Sequence, residues 1–261
     1  MIDSYFFTPA KSWTSAACWI GAVLCLSGGI GCQEPSSITQ ASFTPAAAAR
    51  QSVWYVGVDL SRSVPAEQFA GYAGLARRAV LAFLNPADGL ILQPFPSEEA
   101  PKTFLLEERL SQFKKTVLEI DQTLGQLEQP SGKRHHSDLG SLFERVNQRI
   151  QKDIEFGRAE SFRYRLLLLT DGELDGAQGR SGTAVPDAID YRILILGVGE
   201  VDEEPLETLA RDNGFTRDER LFIVPHHLLG GLESDLERLV GLRPNPNLVT
   251  LFARQAKEEP Q

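Results

Sequence analysis

The chain has 261 residues, with 26 Lys plus Arg against 35 Asp plus Glu and a formal net charge of −9. An acidic balance of this kind excludes a nonspecific nucleic-acid binder, which needs a basic stripe, and an anionic lipid surface as the main electrostatic partner. All three cysteines, Cys18, Cys25 and Cys32, precede residue 33, so the rest of the chain has neither disulfides nor cysteine-based metal or nucleophile chemistry.

At the N-terminus, Lys11 precedes an apolar run from Ala16 to Gly31 that only Ser27 interrupts. The run is short against the roughly 20 residues of a membrane span, and it reads as an export segment over residues 1–32. Its end, Leu26-Ser27-Gly28-Gly29-Ile30-Gly31-Cys32, resembles a bacterial lipoprotein signal, although Gly29 stands where such signals usually carry Leu. The resemblance implies that Cys32 is lipidated and becomes the new first residue. An uncleaved N-terminal anchor and ordinary cleaved secretion are the alternatives. Each places the domain outside the cytoplasm, in the cell envelope or beyond, with membrane contact confined to the N-terminal lipid or anchor. Residues 33–51, with Gln33, Glu34, Pro35, Ser36, Ser37 and the alanines 46–49, read as a linker.

A domain is expected over residues 52–242. Val53 to Asp59 predicts a buried strand, and Pro65 suits the first turn of a helix that carries Phe69, Tyr72, Ala73, Ala76, Ala79, Val80 and Phe83. The turn Asn85-Pro86-Ala87-Asp88-Gly89 leads to a second strand, Leu90 to Phe95, and Lys102 to Leu106 is a candidate edge strand. Phe113, Val117, Ile120 and Leu124 mark a helix. After a basic loop at 129–136, Ser137 caps another helix that runs to about Asp153. Arg163 to Thr170 is a strand, 172–187 a polar loop, and Tyr191 to Val198 a strand. Pro205 opens a helix through Arg211, Leu221 to Val224 is the last strand, and Leu228 to Val240 the last helix. Residues 243–261 read as a loosely ordered tail in which Leu248, Val249, Leu251 and Phe252 could dock on the domain. Alternating strands and helices imply an α/β fold: a doubly wound, mostly parallel central sheet with helices on both faces.

Three segments carry candidate chemistry. Val56-Gly57-Val58-Asp59-Leu60-Ser61-Arg62-Ser63 is a strand ending in an Asp-x-Ser-x-Ser loop, where an extended backbone can turn Asp59, Ser61 and Ser63 toward one point. Hard oxygen ligands in that pattern suit a small hard cation, above all Mg²⁺. Leu166-Leu167-Leu168-Leu169-Thr170-Asp171-Gly172 delivers an Asp at the end of another apolar strand, and His136-Ser137-Asp138 opens a helix. In these motifs the chain resembles the von Willebrand factor type A domain with its metal-ion-dependent adhesion site, over roughly residues 52–242. In the middle motif Ser137 replaces the usual Thr, keeping the hydroxyl but losing the methyl that stiffens the rotamer.

The resemblance implies that Ser61 and Ser63 bind the metal through their hydroxyls, that Ser137 joins them in the ligand-competent state, and that Asp59 and Asp171 act directly or through water. It implies Mg²⁺, with Mn²⁺ or Ca²⁺ as alternatives, and a protein partner that presents an Asp or Glu. The function expected is noncatalytic adhesion or assembly.

The same residues admit plainer readings. Ser61, Ser63 and Ser137 can cap helices and satisfy loop backbone groups, which would make the chain a metal-independent scaffold. A phosphohydrolase of the haloacid-dehalogenase type also starts with an Asp after its first strand, but it needs a second Asp where this chain has Ser61. No nucleophile pair or phosphate-cradling glycine loop accompanies the motifs, and Gly197-Val198-Gly199 reads as a strand-end turn. Arg62 and Glu173 are expected on the site rim. Lys133, Arg134 and His135 form a small basic patch that could steer an acidic partner. The pairs His135-His136 and His226-His227 lack an acid or cysteine at helical spacing, so no zinc site is expected.

Overall fold

In a computed structural model, residues 50–61, 63–95, 101–128, 139–174, 182–199 and 203–258 are described. Six strands form one sheet: β1 (Gln51–Asp59), β2 (Gly89–Phe95), β3 (Lys102–Leu105), β4 (Phe162–Leu169), β5 (Asp190–Val198) and β6 (Leu221–Pro225). Their order across the sheet is β3-β2-β1-β4-β5-β6. All neighbours are parallel except β2 and β3, whose antiparallel pairing closes one edge. The helices are α1 (Ala66–Ala79), α2 (Leu110–Gly125), α3 (Leu139–Glu155), α4 (Glu203–Asp212), α5 (Leu236–Val240) and α6 (Pro246–Glu258). This is the doubly wound α/β arrangement expected.

The strands are near-continuous apolar runs because both faces of the sheet are covered. Side chains alternate across the pleat, and the alternation divides the core in two. Trp54, Val56 and Val58 of β1, with Leu167 and Leu169 of β4, pack against α1, α2, α5 and α6. Val53 and Tyr55, with Tyr164, Leu166 and Leu168, pack against α3 and α4. Gly57 lies on the α3 side: a Cβ there would fall 2.5 Å from Leu142 Cδ2 and 2.8 Å from Leu168 Cδ2. The missing side chain lets α3 lie close over the end of β1.

Several boundaries differ from expectation. Pro65 stands at the N-cap of α1 rather than inside it, its carbonyl accepting the Phe69 N–H at 2.9 Å. The same helix stops at Ala79, and Leu81–Phe83 continue as a 3₁₀ turn. The helix expected from Leu228 to Val240 is broken, with 3₁₀ structure over His226–Ser234 and α-helix only from Leu236. The pair Gly230-Gly231 explains the break, since each glycine costs a helix about 1 kcal/mol relative to Ala.

The segment expected to be a loosely ordered tail carries α6. Asn245 fastens its start: the backbone N–H donates to the Ala82 carbonyl at 2.7 Å and Nδ2 to the Leu84 carbonyl at 2.9 Å. Leu248 is fully buried, with Leu251 and Phe252 packed beside it. Few apolar residues mark this helix, but their spacing puts them on one face.

Below the sheet, at the N-terminal ends of the strands, Asp88 is buried and its carboxylate accepts the backbone N–H groups of Ser52 at 2.8 Å and Asn85 at 2.9 Å. Burial pushes its pKa up to about 7 despite those bonds. On the far side, Asp153 is fully buried between Arg149 at 3.0 Å and Arg158 at 2.7 Å, and accepts the Tyr164 hydroxyl at 3.0 Å.

Candidate metal-binding site

The strand order changes direction at β1 and β4: successive strands run outward from β1 through β2 to β3 on one side, and from β4 to β6 on the other. Open α/β sheets bind ligands in the crevice at the C-terminal ends of such strands. Val58 pairs with Leu169 in register, which brings Asp59 and Thr170 side by side at that crevice.

Asp59 ends β1 with its side chain fully buried. Its Oδ1 accepts the Ser61 N–H at 2.8 Å, an Asx turn that bends the loop back over the strand end. Its Oδ2 accepts the Thr170 hydroxyl at 2.7 Å. Ser61 is buried and Ser63 exposed, and their Oγ atoms lie 2.7 Å apart, one hydroxyl donating to the other. The two hydroxyls thus meet each other, and the Ser61 backbone ties the same loop to the aspartate.

The β4 loop is built as tightly. The Thr170 Oγ1 accepts the Gly172 N–H at 3.1 Å, and the Asp171 carbonyl accepts the Gly199 N–H at 2.8 Å, which ties the ends of β4 and β5 together. Gly172 takes φ +82°, and a Cβ there would meet Val198 Cγ1 at 2.9 Å, so glycine is needed for both conformation and space. The Asp171 Oδ1 accepts the Glu173 N–H at 3.1 Å. Its Oδ2 is buried and has no hydrogen-bond partner.

A carboxylate oxygen withdrawn from water without a partner is costly, and buried oxygens of this kind call for an explanation such as an ion. This oxygen, the paired Ser61 and Ser63 hydroxyls and the Asp59 carboxylate are all hard oxygen donors, the chemistry that suits a small hard cation. Among the described residues no group of three or more His, Cys, Asp and Glu could hold a metal. A cation in this crevice therefore depends on the serine hydroxyls as well as the carboxylates.

Tyr72 of α1 reports on both acids. Burial raises its phenol pKa most, and the charges of Asp59 and Asp171 raise it further. Beside it, Gln68 donates from Nε2 to the Gly197 carbonyl and lies 3.3 Å from the Tyr72 hydroxyl. Gly197 takes φ +92°, and a Cβ there would lie 2.9 Å from Gln68 Nε2. Gln68 thus binds α1 to the end of β5 just behind the crevice.

Ser137, Asp138, Arg62 and the basic patch at 133–135 lie outside the described residues, as does the N-terminal segment with its cysteines. Glu173 is exposed beside Asp171, and His226 and His227 are exposed at the start of a 3₁₀ turn. Two contributors escape a reading of the motifs: Thr170 and Gln68. The hydroxyl directly before Asp171 is a usable signal for the first, and a polar residue inside the apolar face of α1 for the second.

No family model and no curated protein matches the chain. Among solved structures, proximal thread matrix protein 1 from the mussel byssus is similar at 14% identity and a TM-score of 0.45, over 73% of this chain and 47% of that one. The chain thus spans about half the length of that protein. An aerotolerance-related membrane protein from Bacteroides fragilis, crystallised with multiple mutations to serines, is similar at 13% identity and a TM-score of 0.42, over 71% of this chain and 98% of that one. The manganese-loaded TRAP protein of Plasmodium vivax is similar at 13% identity and a TM-score of 0.40, over 73% and 74%. At TM-scores this low the likenesses carry no argument of their own, and the doubly wound fold rests on the strand order and register of the chain itself.

Proposed function

We propose that the chain is a noncatalytic binding module of the von Willebrand factor type A kind, exported and tethered at its N-terminus, that grips a protein partner through a divalent cation. The observation that supports the reading is a buried, unpartnered Asp171 Oδ2 after β4, next to the β1 loop in which Asp59, Ser61 and Ser63 are hydrogen-bonded together, where the strand order switches. Ser61 and Ser63 would hold the ion directly, with Ser137 beside them, and Asp59 and Asp171 would hold it directly or through water. Mg²⁺ suits the donor set best, with Mn²⁺ or Ca²⁺ as alternatives. Bound there, the cation would supply an open coordination position whose charge the neutral hydroxyls leave largely uncompensated, which favours a carboxylate from an Asp or Glu of the partner.

The chain's own residues prepare the site. Thr170 and the Ser61 N–H hold the Asp59 carboxylate still, and Gly57 admits α3 close to β1. A phosphohydrolase is disfavoured because the position of its acid/base carries Ser61, whose hydroxyl bonds Ser63. The tethering part rests on the N-terminal segment alone; among the described residues no helix is long and apolar enough to cross a membrane.

Calorimetric titration of the full chain with Mg²⁺ and Mn²⁺ tests the proposal, with Asp59→Ala as control. Saturable heat that disappears in the variant supports a working adhesion-type site. A variant that folds and keeps full Mg²⁺ affinity, or a wild-type chain without metal binding, leaves a metal-independent scaffold as the function.

A further inference from the structure

The two edges of the sheet are built differently. The outer strand β3 is a four-residue antiparallel strand that begins with Lys102, a charge that discourages further pairing. At the opposite edge β6 reads Leu-Phe-Ile-Val-Pro, with no charged side chain and every residue half-buried. It pairs with β5 on one side, and among the described residues no strand pairs with the other. Pro225 blunts only its C-terminal end, and the uncharged stretch Leu221 to Val224 before it is an apolar edge of the kind that templates another strand.

Beside this edge runs a groove of about 510 Å³. Phe222 and Val224 of β6 form its floor, together with Leu232 and Leu239, and Leu228 stands on its wall with 54% of its surface exposed. Its rim carries three carboxylates, Glu203, Glu207 and Asp235, against one guanidinium, Arg238, which lies 3.7 Å from Asp235. The groove is thus apolar below and net negative above.

We infer that the outer edge of β6 is a strand-addition site for an extended segment of a partner protein, apolar at alternate positions and basic between them. Backbone pairing with β6 would supply the binding, side chains of one face would enter the groove, and Lys or Arg would meet Glu203 and Glu207. This surface is separate from the cation crevice and needs no metal, so it stands or falls independently of that reading.

The test uses the full chain and a short synthetic peptide alternating Val and Lys, carbonyl-labelled with ¹³C, in buffer containing EDTA. The expected result is salt-sensitive binding with a β-strand amide I signal from the label. Glu203→Lys with Glu207→Lys should weaken it about tenfold, and Leu228→Ser about fivefold. Glu203 and Leu228 are exposed, Glu207 is half-buried and outside the core, and circular dichroism checks that the variants fold. Glu119→Lys, on exposed α2 surface, should bind as the wild type does. No binding, equal binding of a Val/Glu peptide, absence of the strand signal, or indifference to both groove variants would overturn the inference.

Discussion

The Thr170 hydroxyl donates a 2.7 Å hydrogen bond to Oδ2 of Asp59, joining the ends of the two strands between which the strand order switches. Asp59 is fully buried, and that donor helps to orient its second oxygen. Thr170→Val keeps the shape and removes the bond. The variant should lose about 1–3 kcal/mol of stability, as expected when a buried charged acceptor loses a partner. Thr170→Ser should recover most of it. Urea unfolding of the three proteins checks the prediction, and parallel Mg²⁺ titrations should rank them in the same order.

Asp171 should behave in the opposite sense. Asp171→Asn preserves an acceptor for the Glu173 N–H and removes a buried, unpartnered carboxylate oxygen. Without metal the variant should be at least as stable as the wild type. With saturating Mg²⁺ the wild type should gain stability and the variant should not; at 100 times the dissociation constant that gain is about 2.7 kcal/mol. Thermal melts with and without Mg²⁺ measure both halves.

Asp88 predicts a pH dependence. Its pKa rises from 3.8 to about 7 on folding, mainly through burial, so the folded state binds the proton more tightly than the unfolded chain. The stability this group contributes is fully present below pH 3.8 and is lost as pH rises through about 7. The slope from one group is at most about 1.4 kcal/mol per pH unit. Asp88→Asn removes that slope, at the cost of one of the two backbone bonds. Unfolding midpoints between mildly acidic and mildly alkaline pH should show the wild type ahead at low pH and the gap narrowing as pH rises.

Leu248 tests the docking of α6. It is fully buried, and Leu248→Ala should cost about 2–5 kcal/mol, as in other cores. Val249→Ala, at a residue 48% exposed on the same helix, should cost far less. Chemical denaturation of both variants checks the contrast.

Much of this architecture is legible in the sequence because the central strands are apolar runs bounded by turn residues. β1, β2, β4 and β5 match their expected positions to within two residues at either end. Asp59, Ser61 and Ser63 are legible for a local reason, since alternate positions in one loop share a direction. Thr170 is not, because its partner lies 111 positions away and depends on the β1–β4 register. The C-terminal region is less legible still. Leu228, Leu229, Leu232, Leu236 and Leu239 follow helical spacing, yet Gly230 and Gly231 interrupt it, while α6 hides in a polar stretch that holds a single fully buried side chain among its first apolar residues.

The chain enters the sheet at Gln51 and reaches the crevice at the strand-order switch at Asp59, at opposite ends of the same strand. A pull between a tether at one end and a gripped partner at the other would therefore run along β1. That strand is held on both sides by parallel ladders, to β2 and to β4. Load gripped at Asp59 would pass along the covalent backbone of β1 itself, and load gripped at Asp171 would reach β1 by shear across the β1–β4 ladder. On the proposed function, the strand that presents the grip would also be the one that bears the load.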